Sequence, residues 1–120
     1  MQDSWNAYLK SLSPALKDLR SGTPEVMKAF SAMAQGALAP SALDTKTKEL
    51  IALAISVATR CDDCIGFHAK AAMEKGASRE EVFETLGTAI YLGAGPAVMY
   101  AAHAIEAFDQ FAQPQTAAVA

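Results

Sequence analysis

Cys61-Asp62-Asp63-Cys64-Ile65-Gly66-Phe67-His68 contains the chain's only two cysteines and one of its two histidines. On an α-helix, residues three and four apart share a face. Cys61, Cys64 and His68 would therefore line one stripe about two turns long. Two thiols able to close a disulfide, with an imidazole beside them, are the minimum parts of a dithiol redox centre. Glu49 is the fourth candidate. It lies ~18 Å from Cys61 along a straight helix at ~1.5 Å per residue, so it reaches the thiols only if the chain folds back on itself. A sharp antiparallel turn near Arg60–Asp63 would achieve this.

Upstream of that turn, Thr45 to about Arg60 reads as a helix with Asp44 as its N-cap. Leu50, Ile51, Leu53, Ala54, Ile55, Val57 and Ala58 make it apolar nearly all round after its first turn, which predicts a central, buried helix. Downstream, the helix carrying the cysteines runs to Lys75, with Gly76 as the residue that stops it. Ser78-Arg79-Glu80-Glu81 is a capping box and opens a helix through Val82, Phe83, Leu86, Ala89, Ile90 and Tyr91. Gly93-Ala94-Gly95-Pro96 breaks it. The last helix is expected to bury Val98, Met99, Ala102, Ile105 and Phe108 and to keep Glu106 on its polar side.

Toward the N-terminus, Trp5, Tyr8, Leu9, Leu12, Leu16 and Leu19 recur at near-helical spacing. Pro14 interrupts them and predicts two short helices or one kinked helix. After Ser21-Gly22, Thr23-Pro24-Glu25 reads as an N-cap, a proline at the first helical position and an acid in the first turn. A helix follows through Val26, Met27, Phe30, Met33 and Ala34 to Gly36, and Ala39-Pro40-Ser41 is a loop. The expected architecture is all-α: a single domain over residues 1–120, a compact bundle of about six helices, a core within about 23–112 and a frayed tail over 113–120.

Bulk properties narrow the function. The chain has 120 residues, 52% of them hydrophobic and 19% charged, with a net charge of −3. Its basic residues are scattered, so there is no electrostatic footprint for nucleic acid. No apolar run approaches the roughly 18–20 residues needed to span a bilayer. Met1-Gln2-Asp3-Ser4-Trp5 lacks the basic and apolar regions of a secretory signal, and a cytoplasmic location is expected. There a C-x-x-C pair is more often catalytic or metal-binding than a structural staple. So high an apolar share in a small domain also hints at surface buried against copies of itself.

A thiol attacks only as the thiolate, and a free cysteine ionises near pH 8.5. A helix beginning at Cys61 would favour an anionic sulfur through its dipole. His68, one turn beyond Cys64, can serve as base or cationic neighbour. Asp62 and Asp63 oppose ionisation by adding negative potential. The dipole favours Cys61 as the attacking sulfur and the His68 contact favours Cys64. Glu49, once buried beside the thiols, could shuttle protons.

Glu49, then Cys61, Cys64 and His68 at these intervals resembles the signature of the alkylhydroperoxidase D branch of the carboxymuconolactone decarboxylase family. Leu50-Ile51-Ala52-Leu53-Ala54 before it, and Ala69, Ala72, Gly76-Ala77 and Glu80-Glu81 after it, are similar too. The likeness spans roughly Leu43 to Ile105. It implies an all-helical homotrimer or homohexamer that reduces hydroperoxides through the C-x-x-C pair. Cys64 would be the attacking sulfur, Cys61 the resolving one, and Glu49 and His68 a proton relay. The resemblance implies no prosthetic group, only an external dithiol or a thioredoxin-like protein as reductant. Some members carry a second histidine immediately before the second cysteine, where this chain has Asp63. The decarboxylase branch typically lacks the C-x-x-C, so lactone decarboxylation is not expected.

Three other readings compete. The protein could be a non-enzymatic oligomeric module that senses redox state or exchanges disulfides. It could be a zinc-binding structural protein using Cys61, Cys64, His68 and Glu49. The cysteines could also be two small buried hydrophobes. His103 reads as a packing or interface histidine, Tyr91 and Phe67 as core or pocket walls, and Met27, Met33, Met73 and Met99 as core filler. Lys46 and Lys48 read as part of a solvated helix start.

Overall fold

The computed structural model describes residues 4–113, so the expected tail lies almost wholly outside the described residues. Among the described residues every regular element is a helix: α1 Trp5–Ser11, α2 Ser13–Gly22, α3 Pro24–Leu38, α4 Thr45–Ala58, α5 Asp62–Glu74 and α6 Arg79–Ala112. The all-α expectation holds, with six helical segments.

Most boundaries follow from local chemistry. Ser4 caps α1 by accepting from the Ala7 N–H. The chain breaks at Leu12, and Pro14 in the first turn of α2 makes this two short helices rather than one kinked helix. Asp44 caps α4 by accepting from the Thr47 N–H at 2.7 Å. Thr23 departs from expectation. Its side chain makes no cap bond to α3 and instead donates back to the Leu19 carbonyl at 2.8 Å, closing the end of α2.

The capping box at α6 is complete. The Glu81 N–H donates to Ser78 Oγ at 3.1 Å, and the Ser78 N–H to Glu81 Oε1 at 2.8 Å. Lys46 Nζ reaches the same carboxylate at 2.8 Å, pinning the start of α4 to α6. Lys46, followed by the Ser78 N–H, holds the Glu81 carboxyl below its ordinary value. Its contribution is therefore present above that ordinary value and lost as pH falls through the lowered one. Ser78→Ala should lower stability by about 1 kcal/mol, measurable as an earlier urea midpoint at unchanged slope.

α4, α5 and α6 form the body, with α1 laid across α5 and α6. Trp5, Leu53, Val57, Ile65 and Val82 are fully buried. From α6 the core takes Ala97, Ala101, Ala104 and Ala107, with Phe108 and Phe111 near its end. This corrects the expected face. Val98, Met99 and Ala102 point outward, and the small alanines point in, letting the neighbouring helices approach closely. Glu106, expected on the polar side, is half-buried and accepts from the Trp5 indole N–H at 2.8 Å.

The break at Gly93–Pro96 appears as a kink inside α6. Ala94 adopts φ 55°, ψ −141°, a region that favours glycine, and Pro96 removes a helical N–H. By length and composition α6 could cross a membrane, but it is kinked at Ala94 and its second half supplies much of the core.

Large apolar residues on the outer surfaces depart from expectation as a group. Ile51 and Ile55 of α4 are exposed, so that helix buries only one side. Tyr91 is 85% exposed, and Phe67, Met33 and Met99 are exposed as well. Met27 and Met73 are half-buried. Helix α2 and helix α3 bury no residue at all.

Candidate active site

The turn that returns α5 against α4 is made without glycine. Arg60 takes φ 59°, its N–H donates to the Val57 carbonyl at 3.2 Å, and the Cys61 N–H donates to the Ser56 carbonyl at 3.0 Å. This is the Schellman arrangement of bonds that satisfies the last carbonyls of a helix. The same pair of bonds closes α5, where Gly76 and Ala77 donate to Met73 and Ala72. The expected antiparallel turn is thus present, and it leaves Cys61 as the N-cap of α5.

Cys61 Sγ accepts from the Cys64 N–H at 3.2 Å, a role more usual for Ser, Thr, Asp or Asn. It therefore sits at the positive end of the α5 dipole. The two cysteines are joined as a disulfide, with Cα atoms 5.2 Å apart, and both are half-buried. Glu49 projects from α4 with its side chain 7% exposed, and its Oε1 lies 2.7 Å from His68 Nδ1 on α5. A carboxylate can only accept, so the ring donates from Nδ1 and leaves Nε2 to take up or release a proton. The His68 ring is 31% exposed, which leaves it a path to solvent or ligand. The four residues read from the sequence are therefore brought together as two bonded pairs on the α4–α5 hairpin.

The two residues between the cysteines are also engaged. His103 Nδ1 of α6 lies 2.7 Å from Asp62 Oδ1. The Tyr8 hydroxyl of α1 donates to Asp63 Oδ1. That bond, then burial and the negative charges of Asp63 and Asp62, push the Tyr8 phenol up to about 12, so it remains a donor at any ordinary pH. Trp5 and Tyr100 pack near the His103 ring, with centroids 6.4 and 5.2 Å away. His103 packs as expected and is in addition bonded to Asp62; neither that bond nor the one from Tyr8 carried any local signal, since each residue meets its partner from a distant element.

Gly66 explains how α1 gets so close. A Cβ there would lie 2.8 Å from Leu9 Cδ2 and 3.1 Å from the Trp5 ring. Among the described residues, no three His, Cys, Asp or Glu side chains converge as a metal-holding group.

The model of the carboxymuconolactone decarboxylase family matches residues 24–107. A solved structure of a family protein from Legionella pneumophila superposes with a TM-score of 0.89 at 47% identity, covering 93% of this chain and all of that one. A Thermotoga maritima family protein, for which a part in the antioxidative response has been suggested, gives 0.73 at 31% identity over 83% of this chain and 88% of that one. An uncharacterized protein of Cupriavidus necator is 41% identical over 86 residues, 72% of this chain and 76% of its own length.

Proposed function

We propose, for a chain that belongs to the carboxymuconolactone decarboxylase family, that it is a thiol-dependent peroxidase with Cys61 and Cys64 as its redox dithiol and Glu49 and His68 as a proton relay. The observation that carries this is the pairing of Glu49 with His68 at 2.7 Å, one turn along α5 from a C-x-x-C disulfide. The antioxidative association of the Thermotoga maritima relative points the same way.

In the forward reaction the Cys64 thiolate attacks one peroxide oxygen and the O–O bond breaks. The departing alkoxide takes a proton from His68 Nε2 and leaves as an alcohol, and Cys64 becomes a sulfenic acid. Cys61 then attacks that sulfur, the S–S bond forms, the S–O bond breaks and the oxygen leaves as water. The proton given to the alkoxide is the one His68 received from the Cys64 thiol, and the water is made from the peroxide's own hydroxyl and the proton of the Cys61 thiol. Glu49 holds the ring in the tautomer this requires and steadies its cationic form. An external dithiol or thioredoxin-like protein supplies two electrons to reopen the disulfide.

A homotrimeric or homohexameric assembly in the cytoplasm belongs to the same proposal. The assembly is supported by the exposed large apolar side chains of α3, α4 and α6, among them Val26, Phe30, Ile51, Ile55 and Leu92. An open groove of about 380 Å³ between α4 and α6, lined by Leu50, Ile51, Ala54, Ile55 and three threonines, lies on that surface.

The test is sustained peroxide consumption by purified protein with a dithiol reductant, against the same mixture without protein. Protein-dependent turnover with alcohol as product is expected. A disulfide that cycles with thiols while peroxide is untouched would instead favour disulfide exchange. His68→Gln should lower kcat by roughly 10²-fold, the usual scale for losing a positioned acid–base group, while the disulfide still forms.

A further inference from the structure

We propose that His103 is a positioning residue of the dithiol site, which through Asp62 sets how readily Cys61 ionises. This rests on Cys61 and Cys64 being a redox dithiol, but not on peroxide being its substrate. Both histidines of the chain are held in the same way, each with Nδ1 2.7 Å from a carboxylate oxygen. One of those carboxylates, Glu49, belongs to the relay. The other, Asp62, is the residue immediately after Cys61.

Asp62 and Asp63 place two negative charges within the C-x-x-C, and a like charge beside a thiol opposes its ionisation. Each is matched by a donor from a different element: Asp63 by the Tyr8 hydroxyl of α1, Asp62 by the His103 imidazole of α6. The titratable groups that adjoin the cysteines in sequence, or are bonded to Asp62, Asp63 or His68, are Asp62, Asp63 and His68 on α5, Tyr8 on α1, Glu49 on α4 and His103 on α6, with Arg60 the preceding residue. Within that set His103 is the group bonded directly to the carboxylate next to Cys61. Its side chain is 23% exposed and that of Asp62 is 31% exposed, so the pair is screened only in part and its charge balance acts at the sulfur. Without the imidazole, Asp62 presents its full charge to the thiol.

The test follows Cys61 alone, in full-length reduced protein carrying Cys64→Ser, by the rate of iodoacetamide alkylation between pH 5 and 10. Adding His103→Ala should slow alkylation at pH 7 about 5- to 10-fold and raise the half-maximal pH by about one, the scale of a neighbouring-charge effect on an ionising group. His103→Asn, which keeps a donor near the place of Nδ1, should recover part of the loss. Asp62→Asn combined with His103→Ala should restore the parent profile, because no unmatched charge remains. If His103→Ala does not fold, His103→Gln, which carries no donor at the place of Nδ1, is the probe and should slow alkylation at pH 7 in the same direction.

Superimposable profiles for His103→Ala (or His103→Gln) and its parent would overturn the proposal, as would a double variant as slow as His103→Ala. Peroxide plays no part in this readout. A shifted profile in a protein inactive toward peroxide supports the role of His103 and overturns the peroxidase proposal. An unmoved profile in an active enzyme does the reverse.

Discussion

Cys64→Ser should abolish peroxide turnover, a loss of roughly 10³-fold or more, whereas Cys61→Ser should retain one round of chemistry per chain. The asymmetry follows from where the two sulfurs sit. Cys64 is inside the first turn of α5, one turn before His68 and on its face, so it has the bonded Glu49–His68 pair at hand. Cys61 is the N-cap, holding the Cys64 N–H at 3.2 Å, placed to attack Cys64 once that sulfur is oxidised. Without Cys61 the sulfenic acid has no resolving thiol and accumulates. Dimedone labelling after one equivalent of peroxide should therefore mark Cys61→Ser at Cys64 and leave Cys64→Ser unmarked. The opposite labelling would mean that the helix dipole at Cys61, rather than His68, selects the attacking thiol.

Trp5→Ala is expected to cost about 3–5 kcal/mol, the usual range for truncating a buried tryptophan, and to lower Tm by roughly 10–20 °C at fixed protein concentration. Trp5 is 0% exposed. It joins α1 to α6 by its indole N–H on Glu106 and by its backbone N–H on Gln110 Oε1, both at 2.8 Å. Its ring also fills the space above Gly66. Trp5→Phe should cost less, about 1–2 kcal/mol, because the bulk is mostly kept and only the bond to Glu106 is lost. Losing α1 also takes Tyr8 away from Asp63, so Trp5→Ala should disturb thiol reactivity before the protein melts. A melt within 2–3 °C of wild type would show that α1 is not part of the cooperative unit.

The helices were legible wherever a boundary has local chemistry. Asp44, Ser78 with Glu81, Pro14 and Gly76 each act within a turn of their own position, so reading them needed no tertiary information. Arg60 was different. It makes the same left-handed closure as Gly76, but a non-glycine residue there leaves no mark in the sequence, and only the need to bring Glu49 back to the thiols pointed to a turn.

Which face of a helix is buried was read less well. In α6 hydrophobic bulk favours Val98 and Met99 as core, but close packing selects the alanines, because bulk by itself does not distinguish a core from an outer apolar face. The pairing of Glu49 with His68 was legible because both lie in one hairpin. The engagement of Asp62 by His103 and of Asp63 by Tyr8 was not, because it depends on where α6 and α1 finish in space.

The proposed dithiol peroxidase activity is tested most directly by a single turnover. Fully reduced protein is mixed with one equivalent of an organic hydroperoxide, and the products are analysed by mass spectrometry. One alcohol formed per chain is expected, with a Cys61–Cys64 disulfide, 2 Da lighter than the dithiol, appearing faster than the peroxide reacts with free dithiol. Peroxide left intact while both thiols stay reduced would contradict the proposed activity.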